Sequence, residues 1–109
     1  MYFEIVVFTA SGKEYADAVI NSLVDIKPFI SHRLYWNHVT LVHSDLGVAY
    51  VKDISKLGRP LDSVFIVDDQ PQNFSSHPER GLHISEWRGD PSDRELERVG
   101  LEVLNRLIE

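Results

Sequence analysis

The chain has 109 residues and contains no cysteine. This excludes a disulfide framework, a thiolate metal site and a cysteine nucleophile. Its first residues do not follow the pattern of a signal peptide, and no stretch approaches the ~18 consecutive apolar residues that cross a bilayer. We therefore expect no membrane segment in this chain and an intracellular location, nuclear or cytoplasmic, where thiol chemistry is reducing.

Positive charge is also scarce. There are 11 Lys and Arg residues against 17 Asp and Glu residues, which gives a formal net charge of -6. Such a balance disfavours broad contact with nucleic acid or anionic lipid, so neither is an expected partner. With 43% hydrophobic and 26% charged residues, the composition is typical of a folded globular domain rather than a disordered chain. The length fits one small domain.

The hydrophobic pattern predicts an α/β fold. Residues 3–8 form an apolar, β-branched run, the pattern of a strand buried on both faces of a parallel sheet. A helix is predicted from about Gly12 to Leu23, because apolar residues recur there at steps of three and four. A second apolar run at 64–67 predicts another buried strand, and a short strand is predicted at 82–84.

Two further segments complete this prediction. From Arg33 to Val51 the apolar residues are short and alternating and are interrupted by a turn at 44–47, which predicts a small antiparallel insert. Near the carboxyl end, Ser92 and Glu95 have the spacing of a capping box before a long amphipathic helix.

Polar side chains follow the predicted strands. Thr9 and Ser11 stand where the first strand opens into a helix, a place where hydroxyl and amide groups bind phosphate oxygens. Helix capping explains the same two residues without a ligand. Lys52 would neutralise charge on a phosphoryl group if it faced such a site, whereas most Lys-Asp pairs such as Lys52-Asp53 are solvated surface.

Asp68 and Asp69 give the strongest local signal. Two adjacent carboxylates after an apolar strand lie where open α/β sheets bind ligands, and they require a cation. Magnesium with oxygen ligands is the usual partner. The structural alternative makes one a helix cap and the other a salt-bridge partner. The five histidines show no paired metal-ligand spacing. Trp36 would line a pocket in the insert or simply pack at its edge.

Several strings of the sequence resemble one family. They are Phe-Thr-Ala-Ser at 8–11, Tyr-Ala-Asp at 15–17, Tyr-Val-Lys-Asp-Ile-Ser-Lys-Leu-Gly-Arg at 50–59, Ile-Val-Asp-Asp-Gln-Pro at 66–71 and His-Pro-Glu at 77–79. Together they resemble the small carboxy-terminal-domain phosphatases, or NLI-interacting-factor-like proteins, of the haloacid dehalogenase superfamily. The resemblance implies a haloacid dehalogenase-like, Rossmann-like parallel sheet in a single domain of residues 1–109, with the antiparallel insert at about 33–51.

The resemblance also implies an activity. The family dephosphorylates phosphoserine or phosphothreonine in proteins through an aspartyl-phosphate intermediate, with magnesium beside the nucleophile. A phosphorylated protein or peptide is therefore the implied partner. The implied catalytic residues are Thr9, which holds the phosphoryl group, Lys52, which stabilises its charge, and Asp68, which supports the metal ligand Asp69. The implied substrate-binding residues are Ser11, Tyr15 and Trp36.

Two departures from the family pattern accompany this resemblance. The Asp-x-Asp-x-Thr motif, which supplies the nucleophile and the general acid, has no counterpart in the 109 residues. Its strand lies between the strands that end at Thr9 and Asp69 in the family, so we expect two open sheet edges that self-associate or pair directly. Around Trp36-Asn37-His38 the family often has an arginine and an acidic residue, so substrate contacts there are expected to differ.

Three hypotheses follow for the function. The chain is a fragment or truncated form of an active magnesium-dependent phosphatase, a pseudophosphatase that binds a phosphoprotein or another partner, or a scaffold like the mitochondrial translocase subunit of the same superfamily. The first predicts an in-frame Asp-x-Asp strand encoded upstream of Met1. It also predicts that the 109 residues alone are inactive, because they contain no nucleophile.

Overall fold

A computed structural model of the chain describes residues 3–108 and divides them into two compact units. The first unit ends at Thr40 and the second begins at Leu41. Each unit combines short strands with one α-helix. The predicted α/β class is therefore confirmed at this level.

Unit 1 is built around a pair of parallel strands. Strand β1 (Ile5–Phe8) is followed by helix α1 (Lys13–Ser22) and then by strand β2 (Ile30–Leu34). The strands pair in parallel with Phe8 opposite Leu34. A helix between two parallel strands is the usual connection, because parallel strands cannot be joined by a tight turn.

Three expectations about the strands of unit 1 were wrong. Strand β1 was expected to be buried on both faces, but Ile5 is 46% exposed. Among the described residues β1 pairs with β2 alone, so it lacks the neighbours that bury a central strand. Arg33 and Leu34 were expected to begin the antiparallel insert, but they complete the parallel strand β2. Trp36 was expected within the insert, but it lies in a 3₁₀ turn at Trp36–His38 before the antiparallel strands begin.

Helix α1 agrees with its prediction within one residue at each end. It buries Ala16 and Ile20, one turn apart. The predicted apolar face was wrong, because the residues whose spacing predicted the helix are exposed: Tyr15, Ala18, Val19 and Leu23. Gly12 takes the position before its first turn without a side-chain cap. The helix ends at Ser22, and the amide of the next residue, Leu23, donates to the Ile20 carbonyl at 3.0 Å. Pro28 follows in a short 3₁₀ turn.

Unit 2 contains a hairpin and a second parallel pair. Strands β3 (Thr40–Ser44) and β4 (Gly47–Val51) pair with each other across a two-residue connection, which fits only an antiparallel hairpin. The antiparallel part of the predicted insert is thereby confirmed from Thr40 onward. Strands β5 (Ile66–Asp68) and β6 (Gly81–His83) pair in parallel with Asp68 opposite His83.

The core of unit 2 packs Ile54, Ile66 and Phe74 together. Gly81 shows how close this packing is, because a Cβ atom added there would overlap the Phe74 ring. The ring can therefore lie directly against strand β6 only because residue 81 has no side chain.

Helix α2 (Glu95–Leu107) closes the described chain. The predicted Ser92–Glu95 capping box is wrong, because the Ser92 hydroxyl donates instead to Asp90 at 2.7 Å. The Glu95 amide donates to the Asp93 carboxylate at 2.8 Å, so an aspartate one residue later satisfies the helix start. Within residues 3–108, neither α1 nor α2 is long and apolar enough to cross a membrane.

The larger sheet implied by the resemblance is the part of the fold that stays a prediction. Residues 3–108 form three two-stranded sheets. The expected closure of the gap by direct strand pairing stays a prediction as well. The single-domain interpretation of residues 1–109 likewise stays a prediction.

Candidate functional site

In unit 1, three of the predicted site residues lie beyond the carboxyl ends of the two parallel strands. The Thr9 amide donates to the Leu34 carbonyl at 3.0 Å, and the Trp36 amide donates to the Ser11 carbonyl at 3.1 Å. The segments that follow β1 and β2 therefore run side by side. Ligands bind at this carboxyl end of the strands in open α/β proteins. The structure thus brings Thr9, Ser11 and Trp36 together.

The Thr9 hydroxyl does not cap helix α1. It accepts a hydrogen bond from the Ser11 amide at 3.0 Å, and the helix begins after Gly12 with no side-chain cap. This is a local hydroxyl turn, which orients the side chain before the helix starts. Since a hydroxyl also carries a proton, Thr9 keeps the ability to donate to a phosphate oxygen.

The predicted aromatic contacts are both exposed. Tyr15, on the first turn of α1, is 69% exposed, and Trp36, beyond the end of β2, is 64% exposed. Large aromatic side chains lose little conformational freedom on binding and are common at recognition surfaces. Their exposure is compatible with the predicted contact to a substrate.

Sequence reasoning missed Asp17 as an organising residue of unit 1. Its carboxylate accepts hydrogen bonds from the Lys13 ammonium at 2.6 Å, the Tyr35 hydroxyl at 2.6 Å and the Arg33 guanidinium at 2.8 Å. Together Lys13, Tyr35 and Arg33 hold the pKa of Asp17 well below its usual range. A signal was present in the sequence, because Lys13 and Asp17 are four residues apart on a predicted helix.

In unit 2, Lys52 and Asp68 form a buried ion pair. Lys52 follows β4 directly and Asp68 is the last residue of β5. The Lys52 Nζ lies 2.7 Å from the Asp68 carboxylate, and their side chains are only 11% and 8% exposed. Charges removed from water in this way are stable only when they are paired. The solvated-surface interpretation of Lys52 is therefore wrong.

Two further groups complete the surroundings of Asp68. Its carboxylate accepts from the Gln70 amide at 3.0 Å, and the Asn73 side-chain amide lies 3.2 Å from each carboxylate oxygen. Burial alone would raise the pKa of Asp68, but the hydrogen bonds from Lys52, Gln70 and Asn73 outweigh it and lower the pKa. Asp68 is thus held as a carboxylate.

Asn73 is the second residue that sequence reasoning missed. In addition to the contact of its side chain with Asp68, its backbone carbonyl accepts a hydrogen bond from the Lys52 backbone amide at 2.8 Å. Asn73 therefore contacts both members of the ion pair. The residue lies in a 3₁₀ turn at Pro71–Phe74 that brings it back toward β4. The turn was signalled by Pro71, but nothing in the sequence indicated the direction of the Asn73 side chain.

Asp69 is placed differently from Asp68. It is exposed, and its carbonyl oxygen lies 3.1 Å from the His83 Nε2. Within residues 3–108 no group of three or more His, Asp or Glu side chains forms a ready cation site. Magnesium usually takes only one or two protein carboxylates and completes its shell with water and phosphate. Because Asp69 is exposed, its carboxylate is accessible to a cation bound in this way.

Comparison with known proteins decides the family. Residues 1–109 match the family described as NLI interacting factor-like phosphatase. The chain belongs to this family.

Three relatives of this NLI interacting factor-like chain carry the name phosphatase. A probable C-terminal domain small phosphatase of Dictyostelium discoideum is 47% identical over 94 residues, covering 86% of this chain and 29% of the relative. CTD nuclear envelope phosphatase 1 of Xenopus laevis is 41% identical over 95 residues, covering 87% of this chain and 37% of the relative. Phosphatase PSR1 of Saccharomyces cerevisiae is 36% identical over 94 residues, 86% of this chain and 21% of the relative. The chain thus spans well under half of the length of these relatives.

Proposed function

We propose that these 109 residues form the phosphate-binding part of a phosphoserine or phosphothreonine protein phosphatase domain. The observation that carries the proposal is the buried Lys52–Asp68 ion pair at the end of β5, which the exposed Asp69 follows in the chain. In an NLI interacting factor-like phosphatase, a desolvated lysine and an exposed carboxylate supply the charges that a phosphoryl group and its counter-ion require.

Each predicted residue has a physical role in this proposal. The Lys52 ammonium neutralises negative charge on the phosphoryl oxygens, while Asp68 fixes its direction through the 2.7 Å contact. The Thr9 hydroxyl donates a hydrogen bond to a phosphoryl oxygen. Ser11 adds a second hydroxyl beyond the same strand end of unit 1.

Magnesium is the proposed cofactor. Asp69 would hold it, and when bound it would neutralise phosphate charge and polarise the phosphorus centre. Asp68 is a poorer ligand, because its two oxygens already accept hydrogen bonds from Lys52, Gln70 and Asn73. The aspartyl-phosphate chemistry of the family would need a further carboxylate, because no Asp-x-Asp-x-Thr string occurs in residues 1–109.

The proposed substrate is a phosphorylated protein. The names of the relatives say phosphatase, and the Xenopus laevis name adds the nuclear envelope. For this chain we propose a nuclear or cytoplasmic site of action. We also propose that β1 and β5, each of which pairs with one strand within residues 3–108, can take up another strand on the other edge, through self-association or otherwise.

The proposal is tested with the purified 109-residue chain. We expect inorganic phosphate to perturb the NMR signals of Lys52, and magnesium to tighten this binding in the unchanged protein but not in Asp69→Asn. We expect no hydrolysis of an aryl phosphate. Magnesium-dependent turnover abolished by Asp69→Asn would refute the proposed inactivity. If phosphate does not change the NMR signals of Lys52, the proposed phosphate-binding role of Lys52 is refuted.

A further inference from the structure

The Asp17 cluster, formed by Asp17, Lys13, Arg33 and Tyr35, ties helix α1 to the end of strand β2. The Asp17 carboxylate binds Arg33 at 2.8 Å and Tyr35 at 2.6 Å, and Arg33 also donates to Asn21 at 2.9 Å on the next turn of the helix. Two different residues of the strand end are thus attached to two successive turns of α1.

The cluster fixes the backbone that carries Trp36. Tyr35 precedes Trp36 and is held through its hydroxyl by Asp17, while the Tyr35 amide is 3.2 Å from the His38 Nδ1. The Trp36 amide itself donates to the Ser11 carbonyl at 3.1 Å. The backbone is therefore held at Trp36 and on both sides of it.

The Trp36 side chain contrasts with this rigid backbone, because it is 64% exposed. A packing role would bury the indole, and a random surface position would not need three hydrogen bonds around it. An exposed aromatic on a pre-organised backbone binds at a low entropic cost, since little freedom remains to be lost. The backbone hydrogen bond to Ser11 places Trp36 next to the segment Thr9–Ser11, which carries two hydroxyl groups.

We propose that Asp17 is a positioning residue for substrate recognition, which through Tyr35 holds the Trp36 indole beside Ser11 to contact an apolar side chain flanking a phosphoserine. This inference rests on the proposed function, because it assumes that the segment Thr9–Ser11 binds the phosphate group. Asp17 itself does not touch the substrate. Its effect is on the peptide and not on the phosphate.

The experiment uses the fluorescence of Trp36 in a Trp87→Phe background, so that one indole reports. Two ligands are titrated in buffer with a fixed concentration of magnesium. They are inorganic phosphate and the peptide acetyl-Gly-Leu-phosphoserine-Leu-Gly-amide. The variants are Asp17→Asn and Tyr35→Phe, which keep the shape of the side chain. Glu14→Gln is the matched control, since it removes the same charge from an exposed position of the same helix.

We expect Asp17→Asn to weaken peptide binding about tenfold, because it removes the charge from hydrogen bonds that fix the indole. Phosphate affinity should stay within about twofold, and Trp36 fluorescence anisotropy should fall. Tyr35→Phe should act in the same direction and more weakly, and it serves if Asp17→Asn does not fold. Glu14→Gln should change none of these values.

Equal peptide affinity in Asp17→Asn and Glu14→Gln would overturn the inference. A parallel loss of phosphate and peptide affinity would also overturn it, because that result indicates general damage to the unit. If the unchanged protein binds neither ligand, the proposed function fails. In that case an unaltered Trp36 anisotropy in Asp17→Asn and Tyr35→Phe separately refutes the holding of the indole by Asp17.

Discussion

The two units organise charge in opposite ways. In unit 1, Asp17 gathers three donors at a partly exposed position, and its side chain is 22% exposed. In unit 2, Asp68 pairs with Lys52 where both side chains are nearly excluded from water. An exposed network orients neighbouring residues and is screened by salt, whereas a buried pair carries a large penalty if one partner is removed. The difference predicts where substitutions will matter most.

Breaking the buried pair should have the largest effect. Lys52→Met leaves the Asp68 charge without its counter-ion, and we expect the free energy of unfolding to fall by about 3 kcal/mol. Chemical denaturation measures the loss. The matched double variant Lys52→Met/Asp68→Leu removes both charges and should recover most of the stability. A single variant as stable as the unchanged protein would show that the pair is not desolvated in solution.

Packing in the two units can be compared at glycines. Gly81→Ala in unit 2 drives a methyl group into the Phe74 ring and should cost about 2 kcal/mol of unfolding free energy. Gly12→Ala in unit 1 meets nothing within 4 Å and should cost no more than about 1 kcal/mol at a helix start. Thermal melting of both variants tests this. Equal losses would contradict the close contact at Gly81.

Removing one donor from Asp68 should have a moderate, pH-dependent effect. The folded-state pKa of Asp68 is lowered, so its stabilisation is present above the ordinary carboxyl pKa and is lost as the pH falls through the lowered value. Asn73→Ala should raise the Asp68 pKa and move this loss of stability to higher pH. Carboxyl NMR titration measures the shift. Gln72→Ala, which removes an exposed amide from the same turn, should leave it unchanged.

The smallest effect is expected at the edge of the exposed network. The Lys13 ammonium is 2.6 Å from Asp17, but its side chain is 69% exposed. We expect Lys13→Met to change the melting temperature only slightly at low salt and not at all near 1 M NaCl, where such pairs are screened. Arg33→Met, whose side chain is 22% exposed, should retain a measurable effect at high salt. Equal salt dependence of the two variants would contradict this order.

The sequence predicted the periodic elements and the identity of the polar residues that end them. Helix α1 was predicted because apolar residues repeat at the helical period, although the face that those residues form is exposed. Strands β5 and β6 were predicted from short apolar runs within two residues of their observed bounds. Asp68 and Lys52 were identified from local strings, and the structure brings them to 2.7 Å. Their burial and mutual contact depend on long-range packing that periodicity does not encode.

Other features could not be predicted, because the decisive partner lies far away or competes locally. Asp17 depends on Arg33 and Tyr35, which are 16 and 18 residues distant along the chain. The Ser92–Glu95 spacing suggested a capping box, but Asp93 is closer to the helix start and takes the Glu95 amide instead. The exposure of β1 follows from how many strands flank it, which no pattern within the strand reveals.

The neutral pairing of Lys52 with Asp68 has a consequence for ion uptake. A phosphate dianion that enters must share the ammonium with a carboxylate already satisfied, so its arrival leaves the surroundings with excess negative charge. Occupancy is then thermodynamically linked to the uptake of a cation or a proton, and by reciprocity each ion makes the other bind more tightly. A site that binds phosphate as proposed would therefore respond to two solutes together and only weakly to either one alone.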